Sequence, residues 1–290
     1  MRVLLSRTTS QTNTLARLLR ARHAIFDIDG CLALGAGPGG HGGIALPGAI
    51  ELLAELKRRG VRIACCTNGS GRPPEAYAAG LRAAGLPVED EEMITPPVVA
   101  AEHLARERPA ARVMALGGDG VLAPLHRAGV ATVAPERGAR ADVVLVGPVT
   151  RLEAEHVEAA AQAIWAGAEL LVTSYAPAIP VRDGRLASMS AAVAAGLAHV
   201  TGAHPTVVGK PSPLVAAVAR ARMGATEDDP LLVVGDDPAL DIALGRAVGA
   251  GTVLVLGGIV TDAATLTAAQ RPDAVVDSLA ELLAALPPAG

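Results

Sequence analysis

The sequence predicts an α/β protein organised around a mostly parallel sheet. Short Val/Ile/Leu runs alternate with Ala-rich stretches of helical character. The runs repeatedly stop in polar, glycine-flanked loops, as strands do where an open sheet receives ligands. Near residue 110 the alternation starts afresh. At 290 residues the chain has room for one large domain, or for a domain carrying an inserted second one.

Taken in order, residues 1–22 bear Arg, Ser and Thr but no acid. That composition has a faint likeness to a transit peptide, yet "MRVLLS" is too short for a secretory apolar run. An extra N-terminal helix or a tail is the expectation. A first strand is expected over about 23–28. A helix follows from Pro47, suited to a first turn, to Gly60, suited to a stop. Next come the strand "VRIACC", the loop "TNGSGRPP" and a helix ending near Gly85. Thr95 is the expected N-cap of the following helix, with Pro96 in its first turn.

After the restart, "RVMAL" and "ADVVLVG" read as strands. Thr150 and Glu153 read as a capping box ahead of a helix over 151–166. "LLVTS" is a further strand, and Asp183-Gly184 marks a tight turn. From about 205, "TVVGKPSP", "LLVVGDDPALD", "TVLVLGG" and "AVVD" are strands that run into polar loops. Ser278 and Glu281 are expected to cap the last helix. The glycine-rich "GAGPGGHGG" (35–43) reads as a loop, with His41 solvated. No internal repeat is seen.

Composition narrows the function. The aromatic residues are Phe26, Tyr77, Trp165 and Tyr175 alone, too few for a base-stacking platform. A net charge of -4 offers no basic footprint, so no nucleic-acid partner is expected. No uncharged apolar run reaches membrane-spanning length, so no membrane partner is expected. Cys31, Cys65 and Cys66 make no disulfide framework; a reducing compartment, the cytoplasm, fits best. Cys31 is read as a small buried residue.

The chemistry gathers at strand ends. In "HAIFDIDGCLALG" an apolar run ends in Asp27 and Asp29, one residue apart. Two carboxylates about 4 Å apart repel by roughly 4 kcal/mol at an effective dielectric near 20. A cation, a shared proton or water must offset that. Three other strand ends carry distinctive groups: Thr67, Asn68 and Gly69; Gly209 and Lys210; Asp236, Asp237 and Asp241. Each has an ordinary reading when taken singly. DIDG and TNG suit turns, GKP an exposed lysine before a helix, and GDD a helix N-cap.

Together they place carboxylates, a hydroxyl and an ammonium on one sheet edge. The carboxylates suit a hard cation such as Mg²⁺. Lys210, the Thr67 hydroxyl and main-chain N–H groups after Asn68 suit phosphate oxygens. Lysine occurs only at 57 and 210 in a chain that otherwise uses arginine. A compact ammonium fits a crowded phosphate–metal site better than a guanidinium fork. Lys57, at a helix end, reads as a surface charge.

Four ordered motifs carry a family resemblance: "DIDG" (27–30), "CTNGSGRPPEAY" (66–77), "VGKPSP" (208–213) and "VVGDDPALDI" (233–242). The sequence resembles the haloacid dehalogenase-like (HAD) phosphohydrolases, in particular their NagD-like class IIA. "IALPGAIELL" and "AVGAGTVLVLGG" agree, and the likeness spans nearly all of the chain after residue 22. It implies a three-layer, Rossmann-like core with an inserted α/β cap. The expected division is an N-terminal extension (1–22), a core (23–107 and 206–290) and a cap (108–205).

The resemblance also implies roles, carried over by position. Asp27 is nucleophile and Mg²⁺ ligand. Asp29 is the general acid–base, and its main-chain carbonyl binds the metal. Thr67, Lys210 and the main chain near Asn68 and Gly69 hold the phosphoryl oxygens. Asp236 is the third protein ligand; Asp241, and with it Asp237, orients Lys210 or metal waters. A homodimer through the cap is expected at family level.

The cap departs from its relatives. They often carry Thr-Asn-x-Asp where this chain has Thr173-Ser174-Tyr175-Ala176, and a glycine-rich turn near "SMSAA" (188–192). Tyr175 is the candidate for substrate contact there, whereas Arg182 and Arg185 are read as solvated. The expected activity is Mg²⁺-dependent hydrolysis of a small phosphorylated metabolite, a sugar or polyol, through a phosphoaspartyl intermediate. The competing readings are an idle HAD-fold binding or regulatory protein and transfer to an acceptor other than water. A metal–nucleotide-sugar transferase is disfavoured by GKPSP and GDDPALD.

Overall fold

The computed structural model describes residues 9–35, 43–181 and 184–288. Helix α1 (Thr9–Leu18) precedes strand β1 (His23–Asp27). The short strands β2 (Ala33–Leu34) and β3 (Ile44–Ala45) pair antiparallel. They are followed by α2 (Ala49–Arg58), β4 (Arg62–Cys66), α3 (Pro74–Ala83), β5 (Met93–Ile94) and α4 (Pro96–Glu107). Next come β6 (Arg112–Leu116), α5 (Asp119–Arg127), β7 (Ala131–Val133), β8 (Val143–Val146), α6 (Ala154–Trp165) and β9 (Glu169–Val172). β10 (Ala178–Val181) and β11 (Gly184–Ala187) form a hairpin, followed by α7 (Met189–Thr201) and β12 (Thr206–Val207). The chain continues through α8 (Pro213–Met223), β13 (Leu231–Gly235), α9 (Ala243–Ala247), β14 (Gly251–Val255), β15 (Ala274–Val276) and α10 (Leu279–Ala284).

Two parallel sheets result. The first has the order β15-β14-β13-β1-β4-β5, the second β12-β9-β8-β6-β7. Strands of the first are buried on both faces, as parallel sheets require. In β1, Ala24 and Phe26 face a cluster built with α1, α2, α3 and α10, while Ile25 faces the opposite cluster with α4 and α8. That second cluster continues into Val113, Val143, Leu145 and Leu171 of the other sheet. The two sheets are therefore joined by apolar packing through α4 as well as by the chain. The join reaches the ligand edge: a Cβ on Gly120 of α5 would lie 2.4 Å from the Ser70 carbonyl oxygen.

Several elements differ from the sequence expectation. Pro47 lies outside α2, whose N-cap is Gly48 at φ +84°. The Thr150–Glu153 capping box does not form, and α6 begins at Ala154 with Glu153 as an extended N-cap. Val149 and Leu152 pack on the second sheet's cluster, and that burial outweighs a cap bond of about 1 kcal/mol. Ser278 makes no side-chain cap bond; Glu281 instead accepts the Asp277 N–H at 2.8 Å. β12 (Thr206–Val207) pairs with β9 in the second sheet, past the expected boundary at 205, because β9 offers it an open parallel edge. Residues 36–42, His41 among them, and Arg182 and Asp183 lie outside the described residues. Among the described residues no helix is long and apolar enough to cross a membrane.

The N-terminal segment supplies a core helix. Leu15 is fully buried among the residues of the first cluster, and Leu19 nearly so. Leu15→Ala is expected to destabilise the protein by about 2–5 kcal/mol through lost transfer energy and a cavity. Denaturant unfolding reads this, and a change under about 0.5 kcal/mol would place α1 outside the cooperative fold.

Candidate active site

Register brings the motifs to one edge. Asp27 pairs with Cys66, so Thr67 leaves β4 just beyond the end of β1. Phe26 pairs with Val234, so Asp236 emerges where β13 ends beside them. Strand geometry alone thus gathers residues from three sequence regions.

Asp27 is almost fully buried, and its Oδ1 accepts a hydrogen bond from Lys210 Nζ. Lys210, also buried, donates from the same nitrogen to Asp241 Oδ1 at 2.7 Å. The other Asp241 oxygen accepts the Asp237 N–H at 3.1 Å. Asp236 Oδ2 accepts the Ile259 N–H at 2.8 Å. Carboxylate oxygens of Asp27, Asp236 and Asp241 lie within 4.8 Å of one another. Half-buried Asp29 accepts a 3.1 Å bond from the Thr67 hydroxyl, whose oxygen accepts the Gly69 N–H at 2.9 Å.

Glycines hold the carboxylates close. Gly30 has φ +87°, and a Cβ there would meet Asp236 Oδ2 at 2.4 Å. A Cβ on Gly258 would meet the same oxygen at 1.8 Å. The glycine of DIDG is thus required twice, by its left-handed backbone and by the Asp236 side chain.

Electrostatics follow from burial. Burial pushes the Asp27 carboxyl well above the usual range; Lys210 opposes this, while Asp241, Asp236 and Asp29 reinforce it. Burial, with Asp241 adding to it, pushes Asp236 up to about 6. Burial alone would lower Lys210, but Asp241 and Asp27 outweigh it and hold its proton firmly. Acidic side chains outnumber the single ammonium at this edge, and the raised carboxyls mark ionised forms short of positive charge.

That surplus tests whether a divalent cation fits. The donor set is all oxygen, and one ammonium serves two of the three carboxylates. Asp241 is engaged at both oxygens, so Asp27 and Asp236 are the side chains able to hold a hard cation. The residues fit.

Not every expected residue does what its position suggested. Asp237 turns away: its Oδ1 accepts the N–H groups of Ala239 (2.7 Å) and Leu240 (3.3 Å), capping the wide helical turn 238–242. Asn68, expected there through its main chain, also uses its side chain, which bonds the main chain of Lys210. The Gly69 N–H is taken by Thr67. Tyr175 is exposed on the segment after β9 and makes no hydrogen bond to the residues above. Sequence reasoning missed the Gly258-Ile259 turn, whose only signal was a Gly-Gly pair after a strand. It also missed Tyr77, whose hydroxyl accepts the Gly71 N–H at 3.2 Å beneath the Thr67–Gly71 loop.

The cysteines take no part. All three are buried, and burial pushes their thiols up, Cys66 to about 12. They stay protonated and unreactive.

Comparison with known proteins places this geometry. Residues 24–131 match the family described as haloacid dehalogenase-like hydrolase, and residues 207–282 match a HAD-hydrolase-like family. The chain is 30% identical over 233 residues to a 5'-nucleotidase of Bacillus subtilis, covering 80% of this chain and 89% of the relative. The fold is similar to that of a p-nitrophenyl phosphatase from Archaeoglobus fulgidus, with TM-score 0.80 and 30% identity over 92% of this chain and 99% of that one. It is also similar to a glycerol phosphate phosphatase from Mycobacterium tuberculosis in complex with magnesium, with TM-score 0.79 and 28% identity over 91% and 78% of the two chains.

Proposed function

This chain belongs to the haloacid dehalogenase-like hydrolases, class IIA, and is a phosphatase; from that premise we propose that it hydrolyses a small sugar or polyol phosphate through a phosphoaspartyl intermediate on Asp27. The observation that carries the reading is Lys210 Nζ bridging Asp27 and Asp241 with Asp236 alongside.

Asp27 attacks phosphorus in line, and the bond to the leaving oxygen breaks. Asp29 gives that oxygen its proton. The phosphoryl group then rests on the Asp27 carboxylate. Asp29, now ionised, takes a proton from water, which attacks phosphorus and releases phosphate and free Asp27. Lys210 and the Thr67 hydroxyl steady the phosphoryl oxygens throughout. Asp241 fixes the Lys210 ammonium. Asp27, Asp236 and the Asp29 main-chain carbonyl would hold Mg²⁺, which would supply positive charge to offset carboxylate–phosphate repulsion.

The second sheet and its helices, over the expected 108–205 and on through β12, serve as the cap that faces the leaving group. Tyr175 is the one aromatic residue between β9 and β10. So few rings favour a small hydroxylated leaving group over a flat base, and the glycerol phosphate phosphatase has a name in keeping with this.

The test is turnover of p-nitrophenyl phosphate, glycerol phosphate and a nucleoside monophosphate, with Mg²⁺ and with EDTA. Turnover is expected only with the cation, with glycerol phosphate preferred to the nucleotide. In the same samples Mg²⁺ at 100 times its Kd is expected to stabilise the fold by about 2.7 kcal/mol, read as a rise in Tm. Equal turnover and Tm in EDTA would exclude the metal.

A further inference from the structure

Asn68 was expected to serve the phosphate through main-chain N–H groups; its side chain has a separate set of partners. Its Nδ2 donates to the Lys210 carbonyl at 3.0 Å, and its Oδ1 accepts the Lys210 N–H at 2.8 Å. Both main-chain groups of one residue are thus held by one carboxamide, across 142 positions of sequence. Only a carboxamide can donate and accept in this manner; a carboxylate lacks the donor and would set an oxygen against the Lys210 carbonyl.

The neighbour of Lys210 adds an independent constraint. A Cβ on Gly209 would lie 2.6 Å from Asn68 Oδ1 and 2.5 Å from the Thr173 carbonyl oxygen. The Asn68 Oδ1 bond and the residue just after β9 therefore converge on a position that admits no side chain. Thr173 itself is buried.

These contacts join two loops that the mechanism needs at a fixed spacing. Thr67, next to Asn68, and Lys210 carry the two side chains assigned to the phosphoryl oxygens. We propose that Asn68 is a positioning residue, which sets the Lys210 ammonium against Asp27 and Thr67 through the Lys210 main chain and does not itself bind phosphate. This rests on the reading of Lys210 as a phosphate-binding group. A misplacement of about 1 Å at such a site costs on the order of 100-fold in rate.

A double-mutant cycle tests the idea, with inorganic phosphate affinity in Mg²⁺ and kcat/KM on p-nitrophenyl phosphate as readouts. Asn68→Ala is expected to lower both by about 10- to 100-fold, while the Mg²⁺-induced rise in Tm is retained because β1 and the end of β13, not Asn68, position Asp27 and Asp236. In a Lys210→Met background the same change is expected to cost less than about twofold in phosphate affinity, since coupled residues are not additive. Asn68→Asp, close in shape but without the donor, is expected to behave as Asn68→Ala, so the result does not depend on one variant folding. Losses that multiply in the double variant would make Asn68 an independent phosphate ligand and overturn the proposal. Wild-type phosphate affinity in both Asn68 variants would overturn it as well. Wild-type activity in Lys210→Met alone would instead overturn the reading of Lys210 on which it rests.

Discussion

Asp27→Asn is expected to lower kcat by at least about 10⁴-fold while the protein stays folded. The amide is a far poorer nucleophile, and it cannot form the acyl phosphate that water then hydrolyses. The fold survives for a reason visible in the site. Burial already disfavours the Asp27 charge, and Asn retains an oxygen that can accept from Lys210 Nζ. Steady-state turnover of p-nitrophenyl phosphate, with circular dichroism and Tm as controls, reads the outcome. Turnover within tenfold of the wild type in a folded variant would remove Asp27 from the nucleophile's role.

Lys210→Met is expected to strike activity and stability together. Loss of an ammonium aimed at the transferring group should lower kcat/KM by about 10²- to 10³-fold. The stability effect has a separate origin. Asp27 and Asp241 would remain buried with no cation between them. Breaking a buried pair from one side costs about 3–5 kcal/mol, because the partner is left desolvated and uncompensated. Denaturant unfolding in EDTA isolates that term from any help by Mg²⁺. An unchanged unfolding midpoint would mean that the carboxyls carry protons in the native state and that no ion pair exists to break.

The four motifs were legible because chemistry dictates their residue types and parallel strands dictate where they end. Asp27, Thr67, Lys210 and Asp236 could be named from "DIDG", "CTNGSG", "VGKPSP" and "VVGDD" before any distance was known. The alternation of apolar runs and Ala-rich stretches likewise fixed an α/β architecture, and the restart near 110 anticipated a second sheet beginning at Arg112. Element ends were less legible. Thr150 and Glu153 have the spacing of a capping box, but Val149 and Leu152 are drawn into the second sheet's cluster, and the helix starts later. A local signal near 1 kcal/mol yields to apolar burial.

What sequence alone determined here is the inventory at the sheet edge: which acids, which ammonium and which hydroxyl arrive together. Tertiary structure decided how they are shared. Asp236 and Asp237 are adjacent and alike in one dimension. The turn 238–242 makes Asp237 a cap and carries Asp241 back to Lys210. The sequence offered Asn68 only through its main chain; packing gave its side-chain amide a partner 142 positions away. The reason is physical. A residue's type sets which bonds it can make, whereas its choice among partners depends on distances that only the packed chain defines.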